Sequence, residues 1–205
     1  MNPDLEPGDD LLVASIAQGG RDAFAALFRR RQSDVYRFAL HMTGRPALAE
    51  DVTQDVFVVV MRDAHRYQPG RSTVTAWLCG IARNCARQRL DRDRRLERLE
   101  DEGLEDGAHQ PAVAPDPLVD LTRVERVALL RRALLGLPVR YREVVVLCDL
   151  QELSYAEAAD ALSCAIGTVR SRLHRARGLL AAKVLTLESR DAQPRTSAKS
   201  QRCLA

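Results

Sequence analysis

Aromatic residues are scarce, 4% of the 205-residue chain. No apolar run approaches the roughly 20 residues that a membrane-spanning helix needs, since none is longer than "VFVVVM", Val56 to Met61. The first ten residues, "MNPDLEPGDD", lack the basic start and apolar stretch of a secretory leader. The five cysteines, Cys79, Cys85, Cys148, Cys164 and Cys203, form no CxxC pair and no metal-type spacing, and the four histidines are scattered. These absences argue against a bilayer-inserted protein, a disulfide scaffold and a zinc module. The cysteines are expected to be small buried hydrophobes in a reducing compartment, and the protein to be cytoplasmic, with no membrane insertion, metal or cofactor.

Alanine, leucine, valine and arginine dominate instead, a composition that favours helices because such side chains lose little freedom in them. The net charge of +3 conceals an uneven distribution. From Arg83 to Arg98 there are seven arginines against three acids. From Glu100 to Asp120 there are seven acids and no Lys or Arg, and from Thr168 to Arg190 six basic residues against the single acid Glu188. Two basic blocks flanking an acidic one imply two anion-binding surfaces with a linker between them.

The helical pattern begins at "DDLLVASIAQGG", with acids at its start and glycines at its end. "DAFAALFRRRQSDVYRFALHMTG" follows as one long helix or two; Val35, Phe38, Ala39 and Met42 form its apolar stripe. Gly44 stops it and Pro46 can open the next. In that helix, about residues 47–65, Val52, Val56, Val59 and Val60 are the expected core stripe. Glu50, Asp51, Gln54 and Asp55 make a polar, acidic cluster on the first turns, read either as dipole-favoured solvated charge or as a docking face for a basic partner. After the turn at Pro69-Gly70, helix resumes near Thr75, with Leu78, Ile81, Ala82 and Cys85 inward and Arg83, Asn84, Arg87 and Gln88 outward.

Residues 99–118 hold few bulky apolar side chains and cannot build a core, so they are expected to be a flexible acidic linker. The predicted architecture is all-α: a first helical domain over 9–98, the linker, a second helical domain over 119–187 and a disordered tail over 188–205. In the second domain, Ser154 with Glu157 three residues on spells a capping box. A helix of about eight residues, the turn "SCA" and a new helix near Ile166 make a helix-turn-helix. Ile166, Val169 and Leu173 are the expected buried stripe of the second helix. This leaves Thr168, Arg170, Ser171, Arg172, His174 and Arg175 outward, side chains suited to base edges and phosphates in a major groove. Ser163 occupies a turn position where glycine is common, and a left-handed backbone there is costlier for serine.

At this point the chain resembles the extracytoplasmic-function (ECF) sigma factors of bacterial RNA polymerase. "YAEAADALSCAIGTVRSRLHRAR" resembles their promoter-reading helix-turn-helix. "AEDVTQDVFVVVM" resembles the polymerase-docking helix, "TAWLCGIARNCARQRL" the helix that holds melted promoter, and "LLGLPVRYREVVVL" the start of the second domain. The resemblance implies partners, core RNA polymerase and promoter DNA, and a function, promoter recognition and melting to initiate transcription of a specific regulon. Glu50, Asp51, Gln54 and Asp55 would face the coiled coil of the largest polymerase subunit, while the flap region would receive the second domain. Arg66, Tyr67, Gln68, Ser72, Thr73, Thr75 and Trp77 would receive a base flipped from the minus-ten element. Arg83, Asn84 and Arg87 would hold that strand. Thr168, Arg170, Ser171, Arg172, His174 and Arg175 would contact the minus-thirty-five element. An anti-sigma factor is a further partner that the analogy implies. Many relatives carry an aromatic residue where this chain has Val74, which implies a differently shaped pocket. The linker acids would thread a polymerase channel as a nucleic-acid mimic or be ordinary charged disorder.

Two other classes compete. A stand-alone regulator would need a ligand pocket or receiver domain, and no βα alternation is present. A nucleic-acid enzyme would need clustered metal-binding acids or a supported nucleophile. Asp51 and Asp55 lack a third acidic or histidine partner in a clearly facing segment, so no catalytic residue is assigned.

Overall fold

A computed structural model describes residues 7–100 and 121–191. The expected linker, apart from its first residues, and the end of the expected tail lie outside the described residues. Eight α-helices make up the described chain, and no strand occurs among the described residues.

The helix α1, Asp9–Ala17, buries Leu12, Val13 and Ile16. Its Asp9 carboxylate takes Arg30 at 2.7 Å and Arg31 at 2.5 Å. One continuous helix, α2 (Arg21–Thr43), resolves the choice between one helix and two. Gly44 ends it in the left-handed region (φ 71°), its N–H donating to the Leu40 carbonyl at 2.8 Å. Pro46 then opens α3, Pro46–Asp63. The α3 stripe differs from expectation: Val52, Val56 and Val60 are buried, but Val59 is half-buried and Phe57 is buried instead. The buried face follows i, i+4, i+8, so a residue at i+7 drifts to its edge. Phe57 completes an aromatic cluster with Phe28, centroids 4.7 Å apart, and Phe24. A single 3₁₀ turn, Ala64–Arg66, and a loop lead into α4, Val74–Glu100.

The second half begins with α5, Leu121–Leu135, and α6, Val139–Val145, which runs on into one π-helical turn at Val146–Leu150. Arg142 is buried, and its guanidinium donates to the carbonyls of Leu134, Leu135 and Leu137. It thereby satisfies the orphan carbonyls at the end of α5. Tyr155–Leu162 forms α7, whose capping box is complete: Ser154 Oγ accepts from the Glu157 N–H, and the Ser154 N–H donates to Glu157 Oε2 at 2.9 Å. Ser163 does adopt the left-handed conformation, φ 51° and ψ 48°. The last helix, α8 (Ile166–Asp191), buries Val169, Leu173 and Ala176. Ile166, expected in that stripe, is 43% exposed, because it sits at the first residue, before the helix meets the core. The helix also continues past 188 to Asp191, beyond its last half-buried positions, Leu180, Val184 and Leu187, and so takes in the first residues of the segment read as tail.

The two halves lie in direct contact. At Gly80, α4 runs close to α7: a Cβ built there would stand in ordinary contact, 3.5 Å from the Ala161 carbonyl oxygen. The Arg142 guanidinium crosses to the Met42 carbonyl at 2.5 Å, and Leu135 packs over Gly44. Buried side chains from both halves form one contiguous apolar core.

Candidate nucleic-acid interface

Three groups of side chains, named from the sequence, fall on three separate surfaces. The first is the start of α3. Glu50 and Gln54 are exposed, while Asp51 and Asp55 share one guanidinium, Arg89 of α4, at 2.7 Å each. The hydrogen bond to Asp55 raises the Arg89 pKa further above its ordinary value. Further along the same helix, Val58 (56% exposed) and Met61 (55%) stand out in solvent. With Gln54 they follow i, i+4, i+7 along one face. Val58 and Met61 lay outside the core stripe expected from the sequence, and the 3.6-residue period puts them away from Val56 and Val60.

The second group surrounds the 67–73 loop. Tyr67 is buried and its hydroxyl lies 2.5 Å from Asp10 Oδ1 and 2.8 Å from the Ser72 carbonyl, bracing the loop's two ends against α1. Burial first, and the Asp10 carboxylate second, push that phenol well above its ordinary pKa, so it is a neutral donor. The Tyr67 ring packs on Trp77, centroids 5.2 Å apart. A cleft of about 720 Å³ gathers Arg66, Tyr67, Gln68, Ser72, Trp77 and Asn84, faced across it by Ala159, Asp160, Ser163 and Cys164 of the second half. Thr75 lines a neighbouring cleft of about 920 Å³, and the Thr73 hydroxyl donates to Glu157 Oε1 at 2.7 Å. That bond and the Ser154 hydroxyl hold the Glu157 carboxyl below the usual range, the Ser154 contribution being the larger.

Arg83, expected to face out, turns to the second half, while Asn84, Arg87 and Gln88 are exposed as expected. Glu143 of α6 is 1% exposed. Its Oε1 lies 2.9 Å from Arg83 Nε and 3.7 Å from Arg87 Nη1. The Arg83 contact is ionic, without the angle of a hydrogen bond. No sequence signal marked Glu143, which sits in an apolar run beside Val144 to Leu147.

The third group lies on α8. Arg170, Ser171, His174 and Arg175 are exposed; Thr168 and Arg172 are half-buried at the edge. Arg170 sits 5.8 Å over the Tyr155 ring. The Arg175 guanidinium beside Tyr141 lowers that phenol's pKa. Of the four arginines from 170 to 177, Arg177 is paired within the chain, with Asp149 Oδ1 at 2.6 Å.

Comparison with known proteins identifies the family. Residues 27–96 match the model of Sigma-70 region 2, and residues 128–180 that of Sigma-70 region 4. ECF RNA polymerase sigma factor SigE of Mycolicibacterium smegmatis is 38% identical over 179 residues, 86% of this chain and 68% of the relative. ECF RNA polymerase sigma factor SigM of Mycobacterium tuberculosis is 36% identical over 179 residues, 86% of this chain and 84% of the relative. This chain belongs to the ECF RNA polymerase sigma factors. The solved structures agree: RpoE in complex with the anti-sigma factor NepR from Bartonella quintana has a TM-score of 0.65 at 26% identity, covering 80% of this chain and 98% of that one. CnrH in complex with the cytosolic domain of CnrY has a TM-score of 0.62 at 26% identity, covering 90% and 99%.

As an ECF sigma factor the protein has a role in transcription initiation, and its class is regulatory and non-catalytic. Region 2 of the sigma factor comprises α2 to α4, and region 4 runs from within α5 into α8. Among the described residues no cluster of ligating side chains could hold a metal ion, and no helix is long and apolar enough to cross a membrane. The sigma factor's thiols are inert at neutral pH where burial raises them, Cys79 to about 12 and Cys148 to about 11.

Proposed function

We propose that this ECF sigma factor binds core RNA polymerase, recognises a two-part promoter and helps to melt it, initiating transcription of a specific regulon in the cytoplasm. The observation that carries this is the outward face of α8: Arg170, Ser171, His174 and Arg175 are exposed on the second helix of a helix-turn-helix whose buried side is Val169, Leu173 and Ala176. Such a helix fits a major groove, where arginine pairs bidentately with guanine while the remaining cations and hydroxyls hold phosphate. It supports reading of the minus-thirty-five element by Thr168, Arg170, Ser171, Arg172, His174 and Arg175.

On region 2, the exposed row Gln54, Val58 and Met61 beside Glu50, Asp51 and Asp55 supports docking on a basic coiled coil of the largest subunit, with an apolar centre and an acidic rim. The Trp77 cleft supports capture of a minus-ten base. Arg66, Gln68, Ser72 and Asn84 supply polar groups for its pairing edge, and Tyr67 holds the loop rather than the base. Unstacking costs a few kcal/mol per base, which capture and phosphate contacts offset. Region 4 would meet the flap region, and an anti-sigma factor is a further partner, as in the RpoE complex with NepR. The test is transcription of genomic fragments by purified core polymerase with and without this protein. New, mapped start sites sharing two elements at fixed spacing support the proposal; absence of core binding and of new starts removes it.

A further inference from the structure

We infer that Asp10 of α1 is a positioning residue for base selection in the minus-ten element, acting through the Tyr67 hydroxyl on the 67–73 loop. The inference rests on the proposed capture of a minus-ten base in the Trp77 cleft. Of residues 65–73, Tyr67 alone is buried. Its hydroxyl reaches back to Asp10 Oδ1 at 2.5 Å and forward to the Ser72 carbonyl at 2.8 Å. A phenol has one hydrogen to give, so the two acceptors share it and the three groups are fixed relative to one another. Asp10 is held in turn by its helix. Arg30 and Arg31 of α2 grip the neighbouring Asp9 carboxylate, and Leu12, Val13 and Ile16 anchor α1 in the core.

The rest of the loop gives itself little support. Residues 68–71 are exposed, and Gly70 turns in the left-handed region at φ 83°, where a Cβ built on it would meet no atom within 4 Å. Inside the loop the Arg71 N–H donates to the Gln68 carbonyl at a long 3.3 Å. The Tyr67 bonds close the loop across its base, and the groups they fix are those that a base would meet. Gln68 follows Tyr67 directly, Ser72 carries the bonded carbonyl, and Trp77 packs on the Tyr67 ring at 5.2 Å; all three line the cleft. A pairing edge is selected only where its donors and acceptors stand within about 0.5 Å of their place. Without Asp10 the hydroxyl serves Ser72 alone, and the loop loses its tie to α1. Stacking on Trp77 tolerates any base, so capture persists while the choice among bases falls. Asp10 itself is exposed at the head of α1, so little of the core depends on it.

The test uses the full chain with core polymerase on a promoter mapped with the wild type. Four templates differ only in the base at the minus-ten position where the wild type discriminates most, and the readout is the ratio of initiation rates between best and worst base. Asp10→Ala removes the acceptor, Asp10→Asn keeps one, and Tyr67→Phe keeps the ring without the hydroxyl. In Asp10→Ala and Tyr67→Phe the ratio should fall by roughly fivefold or more, the low end of what one specific base contact contributes. Asp10→Asn should recover most of it. The double variant Asp10→Ala with Tyr67→Phe should be no worse than Tyr67→Phe, because both act through one bond. If circular dichroism shows Tyr67→Phe to be misfolded, the comparison of Asp10→Ala with Asp10→Asn carries the test. A wild-type ratio in Asp10→Ala, an equal loss on all four templates, or losses that add in the double variant each overturns the inference. A wild type that binds core and initiates without any minus-ten base preference removes the cleft reading and this inference with it. A wild type that does not bind core removes the sigma reading instead, so the three failures are told apart.

Discussion

The two basic helices, α4 and α8, look alike in charge and differ in what covers them. In α4, Arg83 turns to Glu143, which the exposed Arg87 approaches only at 3.7 Å, and Arg89 is shared by Asp51 and Asp55. In α8, Arg170 and Arg175 are exposed, and only Arg177 of the 170–177 run meets an acid, Asp149. A run of arginines thus marks an anion-binding surface without saying whether the anion belongs to the chain or to a partner. The acids that engage α4 lie on α3 and α6, far away in sequence. The positions before Glu188 on α8 carry no acid of their own, and that helix remains open.

The largest way to break the comparison is to reverse the acids of α3. Asp51→Lys with Asp55→Lys leaves Val52, Val56 and Val60 in place but sets three cations together, counting Arg89. Core binding should weaken by more than about 2 kcal/mol, as when charge pairs at an interface are lost. Each surface pair removed should lower stability by about 0.2–1 kcal/mol. A pull-down beside thermal melting separates the two effects, and a folded double variant that binds core normally would make these acids mere partners of Arg89. On the open helix, Arg172→Ala should weaken promoter use by roughly 1–3 kcal/mol and relax preference at one base position. Equal loss on every sequence would reduce Arg172 to a phosphate contact.

The regular framework was legible because its causes are local. Gly44 and Pro46 punctuate α2 and α3, Ser154 and Glu157 cap α7, and Ser163 takes the left-handed turn that its position demanded. Errors arose where a stripe of three or four residues drifts around a helix: Val59 and Ile166 moved off the core, while Phe57 and Ala176 moved onto it. The end of α8 was missed because polar composition outweighed the continuing spacing of Leu180, Val184 and Leu187. For the candidate site, the residue types were legible and their partners were not. Glu143, Asp10, Arg89 and the Arg142 clamp on Leu134, Leu137 and Met42 all depend on chain segments brought together only by folding.

Smaller effects sharpen the contrast. Arg177→Ala removes an exposed pair with Asp149, so it should cost about 0.2–1 kcal/mol of stability and leave base preference unchanged. A change of base preference would return Arg177 to the reading face. Acid should act at α7, whose capping carboxylate Glu157 also meets Thr73. Glu157 has a lowered pKa in the fold, so its stabilisation is present above its ordinary value of 4.5 and is lost as pH falls through the lowered one. Melting followed from pH 6 downward should show this loss in wild type and not in Glu157→Gln. Equal acid sensitivity in the two would assign the loss to other carboxyls.

The contrast between the helices is tested most directly by oxidative footprinting of single side chains, with the folded protein compared to the chain unfolded in urea. Trp77 reports the cleft beside α4, and His174 reports the face of α8. The account predicts slower labelling of Trp77 in the folded protein than in the unfolded chain, and labelling of His174 at a similar rate in both. Trp77 labelling at the same rate in both states, or His174 protected in the folded protein, would contradict it.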